Sequence, residues 1–213
     1  MSQYEKIQTV YKRDPETNYK TLIEGQYSLD IFETLADSSW VATEKVDGTN
    51  IRVYYNLDDF ESVTFKGRTD RADIPSFLEK ALEDLFPVEK LIDIFGETSH
   101  TVVLYGEGYG RKIQKGGGRY RNDVSFVLFD VKINGVYLTR ERVEQLAEQL
   151  GVEVVPILGK GTLDELIDFV REGFKSRWGN FEAEGIVARP EVELQDRFGQ
   201  RVITKIKCSD FPN

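Results

Sequence analysis

The pair Asn134-Gly135 lies between the apolar run Ser125–Val131 and the short segment Val136-Tyr137-Leu138. Asn-Gly accepts the positive φ angles that a two-residue hairpin turn demands, so the chain is expected to double back here as an antiparallel pair. Two or three more strands are expected over residues 40–69. Further strands are read at Thr101–Tyr105, which Gly106-Glu107-Gly108 should break, and at Val152–Leu158, Gly185–Ala188 and Val202–Ile206. Helices are interspersed. Ser76–Phe95 places Phe77, Leu78, Ala81, Leu82 and Leu85 on one face and should divide at Pro87. Thr139–Leu150 should end at Gly151. Thr162 with Glu165 forms a capping box for a helix reaching to about Lys175. Residues 1–39 have no clean period, and Tyr11-Lys12-Arg13-Asp14-Pro15 reads as a turn. With no internal repeat and no Pro/Gly-rich linker, this is an α+β chain of antiparallel sheets flanked by helices, expected as a single domain over residues 1–213.

Composition narrows the function classes. Of 213 residues, 40% are hydrophobic and 31% charged, and no apolar run approaches membrane-spanning length. No signal-peptide pattern opens the chain, so a cytoplasmic location, in a bacterial cell or a phage-infected host, is the expectation. The lone Cys208 rules out an internal disulfide, and with the lone His100 it argues against structural zinc. A net charge of −9 and a pI near 4.9 argue against a generic nucleic-acid coat protein. The charge is patterned, however. Between Gly108 and Asn122 lie Arg111, Lys112, Lys115, Arg119 and Arg121 and no acidic residue. That basic loop is expected to contact a polynucleotide backbone, with Tyr109 or Tyr120 available for base or sugar packing. A plain surface loop is the alternative.

Chemistry is expected at Glu44-Lys45-Val46-Asp47-Gly48-Thr49-Asn50, between Trp40-Val41-Ala42 and Ile51-Arg52-Val53-Tyr54-Tyr55. A lysine held between apolar segments is a reasonable amine nucleophile, and the glycine allows a ligand to approach the backbone. A charged surface hairpin explains the same stretch without chemistry. Four later strands each deliver a charged residue: Glu107 after Val103-Leu104-Tyr105, Asp130 after Phe126–Phe129, Glu184 before Gly185-Ile186-Val187, and Lys205 with Lys207 around Ile206. Lys205 and Lys207 share a sheet face, where two ammonium groups repel unless an anion such as phosphate sits between them. Taken singly, the lysines read as a solvated face, Glu107 as a turn residue, Phe129 as core and Arg68 as a surface arginine.

In this order the set resembles the covalent nucleotidyltransferases, which comprise ATP-dependent RNA and DNA ligases and mRNA capping enzymes. It is most similar to the nick-sealing RNA ligases of bacteriophage type. The resemblance runs from about Trp40 to Lys207. It implies that Lys45 becomes lysyl-AMP, and that Lys205 and Lys207 act on the α-phosphate. It assigns Glu44, Asn50, Arg68, Glu107, Phe129 and Val187 to the nucleotide, with the Phe129 ring stacking on adenine and Asp130 beside it. It assigns Asp47, Glu107 and Glu184 to Mg2+ or Mn2+. The implied fold is the ligase adenylation fold, with the nucleotide pocket between its sheets. The implied substrates are ATP and RNA with 5′-phosphate and 3′-hydroxyl ends, including nicked duplex. Asn50 favours RNA, since DNA ligases and capping enzymes generally carry arginine there. Asp47 departs from the best-known phage enzyme, which has histidine. With six residues after Lys207, no OB-fold or helical RNA-binding domain is expected here, and a partner supplying that domain is an open expectation. A minimal DNA ligase, a capping guanylyltransferase and an inactive nucleotide- or RNA-binding module are the alternatives.

Overall fold

The computed structural model describes residues 3–97 and 99–212. The chain divides into two compact units, one formed by residues up to 4 and 47–155, the other by residues 5–46 and from 156 onward. Each has its own hydrophobic core.

After Tyr4 the chain enters the second unit with β1 (Gln8–Thr9), β2 (Tyr11–Arg13), β3 (Leu22–Tyr27), helix α1 (Asp30–Thr34) and β4 (Trp40–Glu44). The expected turn at residues 11–15 is corrected here. Tyr11–Arg13 pairs antiparallel with β3, and the turn starts only at Asp14. There the Asp14 carboxylate accepts the Glu16 amide, and Pro15 opens a 3-10 turn where its missing N–H costs nothing.

The first unit follows: β5 (Thr49–Tyr55), β6 (Val63–Gly67), α2 (Ser76–Leu85), α3 (Val88–Phe95), β7 (Val102–Gly110), β8 (Val124–Ile133), β9 (Val136–Tyr137), α4 (Arg140–Leu150) and β10 (Glu153–Val154). Its sheet has the order β10-β8-β7-β5-β6, with β9 paired to β8. All its pairings are antiparallel except β10 with β8. Asn134 and Gly135 adopt φ of 50° and 83°, so the hairpin turns as its sequence requires. The helix over residues 76–95 does divide at Pro87, but Phe77 lies outside the buried stripe that Leu78 and Leu82 form.

Gly106-Glu107-Gly108 does not break its strand. β7 runs through it, because the glycines allow close approach instead of a turn. A Cβ on Gly106 would stand 2.2 Å from Phe126 Cζ and 2.3 Å from the Val127 carbonyl oxygen. At the same level β8 carries an extra residue: Tyr105 pairs with Asp130 and Gly106 with Leu128, so Phe129 has no partner across the ladder. This bulge reverses the pleat. Phe126 and Leu128 enter the core before it, Val131 and Ile133 after it.

The chain then returns to the second unit with β11 (Ile157–Gly161), α5 (Leu163–Glu172), β12 (Gly185–Pro190) and β13 (Thr204–Lys207). The sheet order is β1-β13-β12-β4-β11, with only β1 parallel to its neighbour. The single strand expected over Val152–Leu158 is in fact two, β10 and β11, belonging to different sheets and separated at Val155-Pro156. Proline has no N–H for a ladder, so the run cannot continue through it. Helix α5 carries the expected capping box but stops at Glu172, where Gly173 takes φ of 76°. β13 begins at Thr204, later than expected, although Val202 and Ile203 are buried.

Candidate active site

In the second unit, β4, β12 and β13 lie side by side. Ala42, Ile186 and Ile206 point into the core. On the opposite face, period-two alternation lines up Thr43, Val187 and Lys205 in one cross-strand row, and Gly185 opposite Lys207 in the next. Lys45 follows directly after β4, its amide donating to the Gly185 carbonyl (2.9 Å). Its Nζ donates to Glu184 Oε2 at 2.7 Å, while Lys207 Nζ stands 3.5 Å from Glu184 Oε1. Glu184 thus takes one ammonium on each oxygen, one of them from Lys207 of the lysine pair. All three side chains are only partly exposed, at 26%, 19% and 31% for Lys45, Glu184 and Lys207. Gly185 makes the arrangement possible. It holds φ of 149°, and a Cβ there would stand 2.2 Å from the Ile206 carbonyl oxygen.

Glu44 is buried, at 1% exposure. One of its oxygens accepts the Arg177 amide (2.8 Å), and the other, Oε1, has no partner. A buried carboxylate oxygen without a donor is costly, and a ligand donor would remove that cost. The sequence singled out Glu44 but gave no signal for Arg177, which lies 133 residues away.

In the first unit, Asn50 sits opposite Glu107 across β5 and β7. Its Oδ1 is buried and unpartnered. Gly48 lies against β7 so closely that a Cβ would stand 2.4 Å from the Gly108 carbonyl oxygen and 2.5 Å from Glu107 Cγ. Asp47 is half-buried, and its amide donates to the Tyr120 hydroxyl (3.1 Å). Phe129, on the bulge, is half-buried, with its ring edge-on to Tyr4 at 5.0 Å. The Tyr4 hydroxyl donates to buried Asp130 (2.6 Å). Arg68 is exposed just beyond β6. The turn that carries it is held by Arg52, which is wholly buried and donates to the Gly67 carbonyl (2.8 Å), to Asp70 (2.8 Å) and to the Tyr54 hydroxyl (3.2 Å). Neither Arg52 nor Tyr4 was legible as a site residue, since their partners are set by sheet register and by a contact spanning 126 residues.

The basic loop is built rather than plain. Ile113 is in the core. Arg111, Lys112, Lys115 and Arg119 are exposed, as a polynucleotide contact requires. Arg121 is not open in the same way: its guanidinium donates twice to Asp123 (2.6 and 2.9 Å), one residue outside the stretch that lacks acids. That pairing pushes the arginine's pKa up and the Asp123 carboxyl down from its usual range. Tyr109 and Tyr120 are buried, so neither offers a ring face for base packing. Tyr109 instead donates to Glu153 and lies under Arg121 at 5.6 Å. Burial and the Glu153 hydrogen bond raise its pKa to about 12.

Among the described residues, no three His, Cys, Asp or Glu side chains converge to hold a metal. Asp47, Glu107 and Glu184 are hard oxygen donors, of the kind that suits a cation keeping most of its own waters. No helix among the described residues is long and apolar enough to cross a membrane.

In the second unit, the Glu184 carboxylate between Lys45 and Lys207 is consistent with the ligase-type nucleotidyltransferase that the sequence resembles. The chain matches the model of the RNA ligase family over residues 38–207 and belongs to that family. Its fold is similar to that of Naegleria gruberi RNA ligase. Against that protein with PPi the TM-score is 0.67 at 21% identity, covering 97% of this chain and 56% of the other. Against a mutant with ATP and Mn it is 0.68 at 20% identity, with the same coverage. Against a mutant with AMP and Mn it is 0.64 at 19% identity, covering 97% and 58%. The chain thus spans little more than half the length of these structures.

Proposed function

We propose that the chain is an ATP-dependent RNA ligase that adenylylates itself on Lys45 and joins 3′-hydroxyl to 5′-phosphate ends. The observation that carries this is the Glu184 carboxylate bridging Lys45 and Lys207 within the family match. An ammonium is not a nucleophile, so Lys45 must leave Glu184 and give its proton to solvent before attack. The nitrogen then bonds to the α-phosphorus of ATP and the bond to pyrophosphate breaks. AMP passes to the 5′-phosphate of the polynucleotide, and a 3′-hydroxyl displaces AMP to form the phosphodiester. Lys205 and Lys207, on one face of β13, act on the α-phosphate, where preorganised cations stabilise the charge that builds during transfer. Val187, in the row with Lys205, serves the base, as do the open acceptor of Glu44 and the ring of Phe129. Asn50, Glu107 and Arg68 serve the ribose and phosphates. Asp47, Glu107 and Glu184 would hold Mg2+ or Mn2+ through its waters, and the bound ion would neutralise phosphate charge.

The similar fold of a protein determined with ATP, AMP and Mn supports the choice of nucleotide and metal. Nick sealing of the bacteriophage kind, action in RNA repair in the cytoplasm, and a partner completing substrate grip remain parts of the proposal. Incubation with α-labelled ATP is expected to give an acid-stable adduct in the wild type and none in Lys45→Ala. An intact adduct in that variant would sink the assignment. Sealing assays on matched nicks with RNA or DNA on either side of the break separate this reading from a minimal DNA ligase, which Asn50 disfavours.

A further inference from the structure

Two side chains of the 111–121 loop turn inward, onto the backbone of the lysine motif. The Asp47 amide donates to the Tyr120 hydroxyl (3.1 Å), and Gln114 Nε2 donates to the Gly48 carbonyl (2.9 Å). The two bonds fall on the peptides before Asp47 and after Gly48, so the Asp47-Gly48 step is held at both ends, while Gly48 itself is pressed onto Glu107 and Gly108 of β7. The support behind these bonds is firm. Tyr120 is 8% exposed and meets Tyr109 edge-on at 6.1 Å, and Tyr109 is fixed by Glu153 and Arg121. Gln114 follows Ile113, which is anchored in the core. Lys112 and Gln114 take φ of 72° and 52°, a region that residues other than glycine avoid and that persists where the surroundings over-determine it. Simple loop closure does not call for Gln114 in that conformation, because the loop already closes through backbone bonds from Arg111 to Asp123 and from Ile113 to Gly110.

We propose that Tyr120 and Gln114 are positioning residues of the adenylylation step, fixing the backbone on either side of Asp47-Gly48 so that the motif is preorganised for attack. The proposal rests on the lysyl-AMP reading above. Neither residue touches the reacting atoms. Preorganisation of this kind acts on the rate of the bound complex rather than on substrate affinity.

The test is single-turnover formation of the lysyl adduct over a range of ATP concentrations, in Tyr120→Phe and in Gln114→Met. Each removes one hydrogen bond and nearly preserves shape. Loss of one neutral hydrogen bond in the transition state corresponds to a rate reduction of about 5- to 10-fold. The expected result is that fall in the rate constant at saturating ATP. The half-saturating ATP concentration should move less than about twofold, with the melting temperature held. Wild-type rates in both variants overturn the inference and leave Lys45 in place. So does a loss that appears only as weaker ATP binding, or one that tracks a lowered melting temperature. Absence of any adduct in the wild type would instead overturn the underlying function.

Discussion

Arg52 shows how a single side chain ties fold to site. It is fully buried on β5, and its guanidinium holds the Gly67 carbonyl and Asp70 on either side of Arg68. Replacing it by Met keeps the apolar stem but leaves its partners without donors. We expect Arg52→Met to lower unfolding free energy by roughly 2–3 kcal/mol, read as a shifted denaturant midpoint at unchanged slope. The pair also carries a pH signature. The hydrogen bond from Arg52 holds the Asp70 carboxyl below the usual carboxylate range. A depressed folded-state pKa contributes stability that is fully present above the unfolded value, about 3.9, and is lost as pH falls through the lower folded value. Asp70→Asn should therefore flatten the acid limb of a stability profile measured below about pH 4 while leaving its shape near neutrality unchanged. A steeper acid limb in the variant would contradict this sign. The sequence marked Arg68 as a surface arginine when taken singly, and as a nucleotide residue only through the family resemblance. Its support was hidden because Arg52 reads as one polar residue in an apolar strand, and only the pairing of Ile51 with Gly67 and Arg52 with Lys66 brings it under the turn.

Among elements, β7 and β8 carry the largest difference between sequence and structure. Two glycines flanking Glu107 look like a turn, yet they sit inside a nine-residue strand. The rule behind that reading, that glycine interrupts strands, loses to packing: any side chain at Gly106 would run into the Phe126 ring. The strand and the residue type of Glu107 were legible, and its position mid-strand opposite Asn50 was not. The same holds for Phe129, whose apolar strand was evident but whose release from the core depends on a bulge that no local pattern announces. Gly106→Ala is the direct test. A methyl group there meets a ring and a backbone carbonyl, and only the ring has any freedom to shift. Overpacking of this kind costs about 2–3 kcal/mol. Because the bulge at Phe129 begins at this level, the variant should also weaken ATP binding, measured by titration of the folded protein. Full stability in Gly106→Ala would mean that the two strands are less closely joined than these contacts require. By contrast α4 followed its sequence almost to the residue and α5 began at its expected cap, since Thr139, Gly151, Thr162 and Glu165 fix these ends through local hydrogen bonds.

At the scale of the chain, the two-unit organisation left no compositional trace. The chain passes between the units after Tyr4, Val46 and Val155, and no Pro/Gly-rich linker in the sequence marks these points. The first lies in a segment without periodicity, and the second lies inside the lysine motif itself. Charge, in contrast, was legible. The whole carries −9, yet Arg111, Lys112, Lys115 and Arg119 stand exposed on one loop while Arg121 is neutralised by Asp123. If that loop meets phosphates, its contribution is electrostatic and independent of sequence. Each phosphate neutralised on a single strand adds about 0.7 to the slope of log affinity against log salt. Replacing both Lys115 and Arg119 by Ala should then weaken RNA binding and make that slope shallower by about 1.4, with a similar loss for unrelated sequences. Adduct formation with ATP involves no polynucleotide, so it should fall far less than RNA binding does. An unchanged salt slope would show that the polynucleotide is gripped elsewhere, and equal loss of adduct and RNA binding would show that the loop acts on the fold of the first unit rather than on the substrate. The remaining exposed pair, Arg111 and Lys112, sets the scale for what should be left. Lys112 lies over the Phe77 ring at 5.9 Å and is thereby held near the surface of α2, so a residual salt dependence is expected in the double variant.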